Sequence, residues 1–394
     1  MRQTQPSNVH IAAGSSRSTA FDLALLGLTV VIAVLSFAKN FSYQLNPWGD
    51  PYFFFSYADG FIKRGLVGHI FNTIYPGASP EATRAIALLS CTVASLLIVA
   101  LLMLWFWQAA RGWIVLFALF AASQFLPTLG YDTGYLDAYV YALAIIASMA
   151  LAGDKLVIVV IVGLLGPVVH ESFVFLWLSL AILAVWRGGI RLGHVAALCT
   201  PILSTLIVYF GHSQAAAIAQ VNAAPLSDSI KDVFIKWQFG YRMTAIPRVM
   251  YREISTNIVN YIIALAFYTL PAALIALSYA TQRKDRIALL LATYAPALIS
   301  LVAWDLSRFL VATSLSATIG VLFMQSTRPA IPTRALLWCW PTTALLFSLP
   351  LVFAFYSHAI IFKQAQFGFN DTPWSNFIQH KVIPWYNRNY IPSP

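Results

Sequence analysis

Two stretches of this 394-residue chain combine ionisable side chains with a spacing that suits chemistry at an apolar boundary. His170 and Glu171 interrupt an otherwise apolar run from Leu156 to Trp186. An ionisable pair at that depth normally faces a cavity, a partner or a ligand, although a satisfied helix break after Gly166 and Pro167 explains it too. Asp50 stands directly before Pro51 and a run of aromatic residues. A residue before proline is pushed out of the helical region, so Asp50 reads either as the cap of a short helix starting at Pro51 or as a carboxylate with a functional role. Asp59 stands four residues before Lys63 and can pair with it. Lys63 and Arg64, flanked by Gly60 and Gly65, offer two cations on a bendable backbone, which suits a phosphate or a lipid headgroup.

Weaker constellations accompany these. Asp132 and Asp137, with Tyr131 and Tyr135, bring two carboxylates and two aromatic faces within seven residues, a set that suits sugar hydroxyls and also an Asx turn around Gly134. Asp305 and Arg308 are spaced for an ion pair. The segment 212–256 interleaves Lys231, Lys236, Arg242, Arg248 and Arg252 with Trp237, Phe239, Tyr241 and Tyr251. Cations among aromatics match an anionic lipid carrier or an ordinary snorkelling interface. No strong metal signature is present; a divalent metal held by His170, Glu171 and an Asp from another loop stays open, and no cofactor is otherwise implied.

The elements that must carry these residues follow from composition. Apolar residues make up 59% of the chain and charged ones 10%, against about 45 to 50% apolar in a soluble domain. This disfavours a soluble enzyme, a disordered chain, a disulfide scaffold and a nucleic-acid binder. Apolar runs near 21–38, 86–107, 113–129, 139–153, 156–169, 172–186, 193–211, 257–280, 287–304, 309–325 and 335–357 predict an all-α transmembrane bundle of about eleven spans. The bundle takes residues 1–357, with outer loops at 39–85 and 212–256, and 358–394 forms an outer carboxyl-terminal tail. Cys91, Cys199 and Cys339 each lie inside an apolar run and read as small core residues.

Arg111, Lys155, Arg187, Arg191, Arg283, Lys284, Arg286, Arg328 and Arg334 occupy the short connections on one side, which sets that side as cytoplasmic. Apart from Asp22, Asp154 and Asp285, the acidic residues then fall outside or at outer span ends. The net charge of +10 suits orientation and anionic lipid. The chemistry is therefore expected at the outer face.

With this arrangement the chain resembles the GT-C type of polytopic membrane glycosyltransferases. The likeness is architectural: about eleven spans, an acidic residue in the first outer loop followed by a candidate interfacial helix over 51–74, and polarity confined to the outside. The resemblance implies transfer of a sugar from a polyprenyl-phosphate or pyrophosphate carrier to a glycan or lipid acceptor, in a bacterial inner membrane. It also implies Asp50 as the base. Lys63, Arg64, Arg242, Arg248 or Arg308 would balance the phosphate, while Asp132, Asp137, His170, Glu171 and Asp305 line the substrate site. The chain lacks the adjacent acidic pair of several members and their large carboxyl-terminal soluble domain. Polysaccharide polymerases of the O-antigen or exopolysaccharide kind look similar. A lipid-linked-sugar flippase is the reading from a second class, and it calls for polar groups through the membrane depth and two related halves.

Overall fold

The computed structural model describes residues 20–39, 41–46, 49–107, 114–188, 190–236, 282–301, 306–325, 351–356 and 359–364, with short pieces between 269 and 276 and at 342–343. Among these the chain is a helical bundle with one two-stranded hairpin. Helix α1 spans Ala20–Ala38, α2 Leu66–Ile74, α3 Pro80–Trp107, α4 Ile114–Ala122, α5 Phe125–Tyr131, α6 Asp137–Ala152, α7 Leu156–Val169, α8 Phe173–Arg187 and α9 Leu192–Gly211. They are followed by α10 Gln214–Ala223, α11 Asp228–Ile235, α12 Arg283–Tyr294 and α13 Leu306–Gln325. A 3-10 turn at Asp50–Phe54 precedes α2, and another at Ala295–Leu301 continues α12.

Helix α13 is the axis: Leu310, Val311, Leu315, Ile319, Leu322 and Phe323 are all buried, and so are the hydroxyls Thr313, Ser314, Ser316 and Thr318 between them. A helix apolar on every side belongs in the middle. Its polar groups turn inward on the helix, Thr313 donating to the Leu310 carbonyl at 2.5 Å and Thr318 to the Ser314 carbonyl at 2.8 Å. Around it, α3 and α9 are long and apolar enough to cross a membrane, and they leave large apolar side chains such as Leu89, Leu203 and Phe210 on the outside. Pro201 inside α9 removes the donor that would have met the Ala197 carbonyl, and the Thr200 hydroxyl takes that role at 2.7 Å.

Several predicted runs match helices closely, among them 156–169 and 193–211, but the boundaries depart where backbone chemistry intervenes. The run 113–129 is two helices, because the ring of Pro127 excludes the Ser123 carbonyl from the helical ladder. Ser123 then donates its hydroxyl to Phe120 at 2.6 Å and closes the corner. The continuous helix expected over 51–74 is instead the 3-10 turn, an irregular link and α2. At 351–364 the chain forms an antiparallel hairpin, β1 Leu351–Tyr356 with β2 Ala359–Gln364. The division at 357 between bundle and tail falls inside it. Cys91 is buried as expected, whereas Cys199 is exposed on α9.

Because α7, α8 and α9 run back and forth, their ends form two polar groups. Lys155, Arg187 and Arg191 lie at one end of these helices; His170, Glu171 and His212 lie at the other. The 15 residues of α8 separate the two by about 22 Å.

Candidate functional site

The site is assembled by the first polar loop, which lies on the ends of α7 to α10. Two close approaches place its 3-10 turn. A Cβ on Gly68 would stand 2.4 Å from the Tyr52 carbonyl oxygen and 2.6 Å from that of Phe55, so α2 rests on the turn backbone to backbone. On the other side Asn46 donates its N–H to the Thr133 carbonyl at 2.7 Å, and Gly49 abuts the Gly134 backbone. Gln220 of α10 clamps the next stretch, donating to the Ser56 carbonyl at 3.0 Å and accepting from the Ser56 N–H at 2.8 Å. The N–H groups of Lys63 and Ser213 then join the loop to the end of α9, donating to His212 Nδ1 at 3.2 Å and the Phe61 carbonyl at 2.8 Å respectively.

Arg64 follows in a left-handed conformation, with φ +62°. Such backbone costs a non-glycine residue about 1 kcal/mol or more, and surrounding contacts must hold it. They do: the Arg64 guanidinium donates through Nε to Glu171 Oε2 at 2.8 Å, through Nη2 to Glu171 Oε1, and through Nη1 to the Tyr52 hydroxyl at 2.5 Å. Lys63 Nζ stands 3.6 Å from Glu171 Oε1. Glu171 projects from the α7–α8 corner, where His170 Nδ1 accepts from the Ser172 N–H at 3.1 Å, leaving the imidazole proton on Nε2.

Burial pushes the Glu171 carboxyl up, but Arg64 and Lys63 outweigh it and hold the group well below the usual carboxylate range. Burial also works against the Arg64 charge, and Glu171 and Tyr52 overcome it. Glu171 is the strongest influence on Lys63 and favours its charge, yet burial and Arg64 together leave the ammonium below the ordinary lysine range. Burial, then Lys63, likewise lowers His212. Glu171 is thus an anchoring anion, and two cations share one carboxylate.

Asp50 is different. It is the first residue of the 3-10 turn, whose cap position is Gly49 with no side-chain bond, so the carboxylate is not a helix cap. It is 7% exposed, with Oδ2 held by Arg84 Nε at 2.9 Å and Oδ1 buried without a hydrogen-bond partner among the described residues. Burial raises its proton affinity and Arg84 only partly offsets this. Arg84 is itself fixed: its Nη2 donates to the Pro225 carbonyl at 2.8 Å, and its guanidinium lies 5.6 Å from the Phe54 ring centre. A carboxylate with one oxygen clamped and the other buried and unbonded among the described residues, and with raised proton affinity, can accept a proton in a fixed direction.

Of the other predicted residues, Asp132 ends α5 with Oδ1 3.5 Å from Asn46 Nδ2, and Asp137 is buried in the first turn of α6. Asp132 begins the loop on which Gly49 rests, and Asp137 opens the helix that follows it. Asp59 does not pair with Lys63; it accepts from Gln220 Nε2 at 2.8 Å, because the link between them is not helical. Arg242, Arg248 and Asp305 lie outside the described residues, and Arg308 is described only as backbone in α13. Among the described residues no three His, Cys, Asp or Glu side chains are gathered to hold a metal ion, and both Glu171 oxygens face cations. Sequence reading missed Arg84, Tyr52, His212 and Gln220. Arg84 carried the weakest signal, a lone cation opening a long apolar helix 34 residues from the carboxylate it holds.

Comparison of the chain with protein-family models, with curated proteins and with solved structures returned no match.

Proposed function

We propose that the chain is a membrane glycosyltransferase with about eleven crossings in a bacterial inner membrane, moving a sugar at the outer face from a polyprenyl-phosphate or pyrophosphate carrier to a glycan or lipid acceptor. The observation that carries this reading is Asp50, a buried carboxylate with Arg84 on one oxygen and no partner among the described residues on the other. In the proposed step Asp50 Oδ1 takes the proton of the acceptor hydroxyl as that oxygen bonds to the sugar's anomeric carbon. The bond from that carbon to the carrier phosphate breaks, and the phosphate leaves with the electron pair toward Lys63 and Arg64. Their two positive charges exceed the single charge of Glu171, which leaves attraction for an anion, and the water-poor setting strengthens it. Asp132 and Asp137, which flank the loop packed against Gly49, are proposed to bind sugar hydroxyls.

The test is transfer in proteoliposomes loaded with a polyprenyl-phosphate sugar and an acceptor lipid. Asp50→Asn removes basicity at nearly constant size, and transfer should fall by roughly 10² to 10⁴ while the protein stays folded. Parental turnover in that variant removes Asp50 from the reaction. Movement of the carrier across the bilayer without sugar transfer would instead identify a transporter.

A further inference from the structure

The opposite end of α7, α8 and α9 carries a second polar group that the proposed transfer does not use. There the turn after α6, the last turn of α8, the first turn of α9 and the end of α13 enclose a cavity of about 140 Å³. Leu151, Asp154, Arg187, Arg191, His194 and Phe323 are among its lining. The space equals that of four or five waters, enough for a phosphate group. It is well below the roughly 300 Å³ at which pockets for larger organic ligands begin.

Its charges are unevenly committed. Arg187 is held in place, donating to the carbonyls of Leu151 at 3.2 Å and Ala152 at 3.3 Å, with its guanidinium 5.9 Å from the Phe323 ring centre. Carbonyl partners leave its positive charge uncancelled. Asp154, in a left-handed conformation at φ +57°, is turned to His194 Nε2 at 3.1 Å and is 57% exposed. His194 Nδ1 is buried with no hydrogen-bond partner, and no partner is found for Arg191 among the described residues. Helix α9 also begins here without a side-chain cap, so its first N–H groups add to the same potential. Two guanidiniums therefore line a phosphate-sized space, against one carboxylate that is already paired with His194.

Ile190 lines the cavity as well, and Leu192, next in the chain to Arg191, is 86% exposed. Exposed cations beside exposed aliphatic side chains, at the end of a membrane-length helix, suit a headgroup whose acyl chains lie along the helix.

We propose that this cavity is a phosphate site whose occupant is the headgroup of an anionic phospholipid. The proposal shares with the transfer reading only the membrane setting, and it does not depend on Asp50 or on sugar chemistry.

The experiment uses the full chain. Carbonate extraction of membranes comes first; release of the chain into the soluble fraction overturns the lipid proposal together with the membrane setting. Purified protein in neutral detergent is then titrated with dioleoylphosphatidylglycerol, with dioleoylphosphatidylcholine and with inorganic phosphate, read by thermal unfolding and native mass spectrometry. Phosphatidylglycerol should be retained and should raise the unfolding temperature, phosphatidylcholine should not, and phosphate should act weakly. Arg191→Gln should weaken phosphatidylglycerol retention about tenfold, with Arg191→Lys recovering part of it. Since Arg191 has no partner among the described residues, the lipid-free unfolding temperature should stay parental. Arg187→Gln gives the same reading on lipid retention if Arg191→Gln does not fold. Phosphate acting as strongly as the lipid would keep the phosphate site and assign it a free anion. Equal retention of the two lipids, or parental binding in both variants, overturns the proposal.

Discussion

Arg64 and Glu171 are 107 positions apart in the chain, yet the left-handed backbone of Arg64 turns its guanidinium so that two of its nitrogens meet the two Glu171 oxygens. The pair ties the first polar loop to the corner between α7 and α8. Arg64→Ala should cost about 3 kcal/mol, because it leaves a largely buried carboxylate without its main counter-ion. Replacing both residues by Met should cost less than Arg64→Ala alone. Thermal unfolding of the single and double variants checks this, and additive losses would mean the two side chains act separately.

Acid should act through the same carboxylate. An unfolded Glu titrates near 4.3, and the folded Glu171 lies well below that. Its contribution to stability is therefore complete above the unfolded value and is lost as pH falls through the folded one. The unfolding-temperature gap between the parent and Glu171→Gln should be flat at neutral pH and shrink below about pH 4. A gap that widens on acidification contradicts the assignment.

Arg84 should set the pH dependence of transfer. Burial already raises the Asp50 carboxyl, and Arg84 is the group that holds it down. Arg84→Gln should move the acid limb of the pH–rate profile to higher pH, with activity recovering in alkaline buffer; Arg84→Lys should move it less. An unshifted limb would show that Asp50 is not the base whose ionisation limits the rate.

Gly68→Ala tests position without touching charge. The new methyl would press on the Tyr52 and Phe55 carbonyls, which belong to backbone and cannot swing aside. The variant should lose about 1 to 3 kcal/mol and most of its transfer activity. Wild-type behaviour would mean that α2 does not fix the 3-10 turn.

Sidedness is checked by labelling intact cells with an impermeant thiol reagent. Cysteine at Lys155, on the Arg187 side, should resist it, and cysteine at the exposed Ala78, between α2 and α3, should react. The reverse pattern would put Asp50 and Glu171 inside the cell.

Apolar run lengths located most helices to within a few residues, because burying a helix in a bundle or in lipid demands an unbroken stretch of side chains that water rejects. His170 and Glu171 stood out for the same reason, as charge where a run allowed none. The break at Ser123 went unread within the single run 113–129, although Pro127 forbids the ladder locally. Pairing was not. Asp59 and Lys63 have helical spacing, but the link that carries them is irregular, and each found a distant partner instead, Gln220 on α10 and Glu171 at the α7–α8 corner. Asp50 looked like a cap because its neighbours are local, whereas its state is set by Arg84 and by burial against the loop at Gly134. Local chemistry decides where a helix starts and stops. Which oxygen is clamped and which stays unbonded depends on contacts between segments 34 to 107 residues apart, which no local pattern encodes.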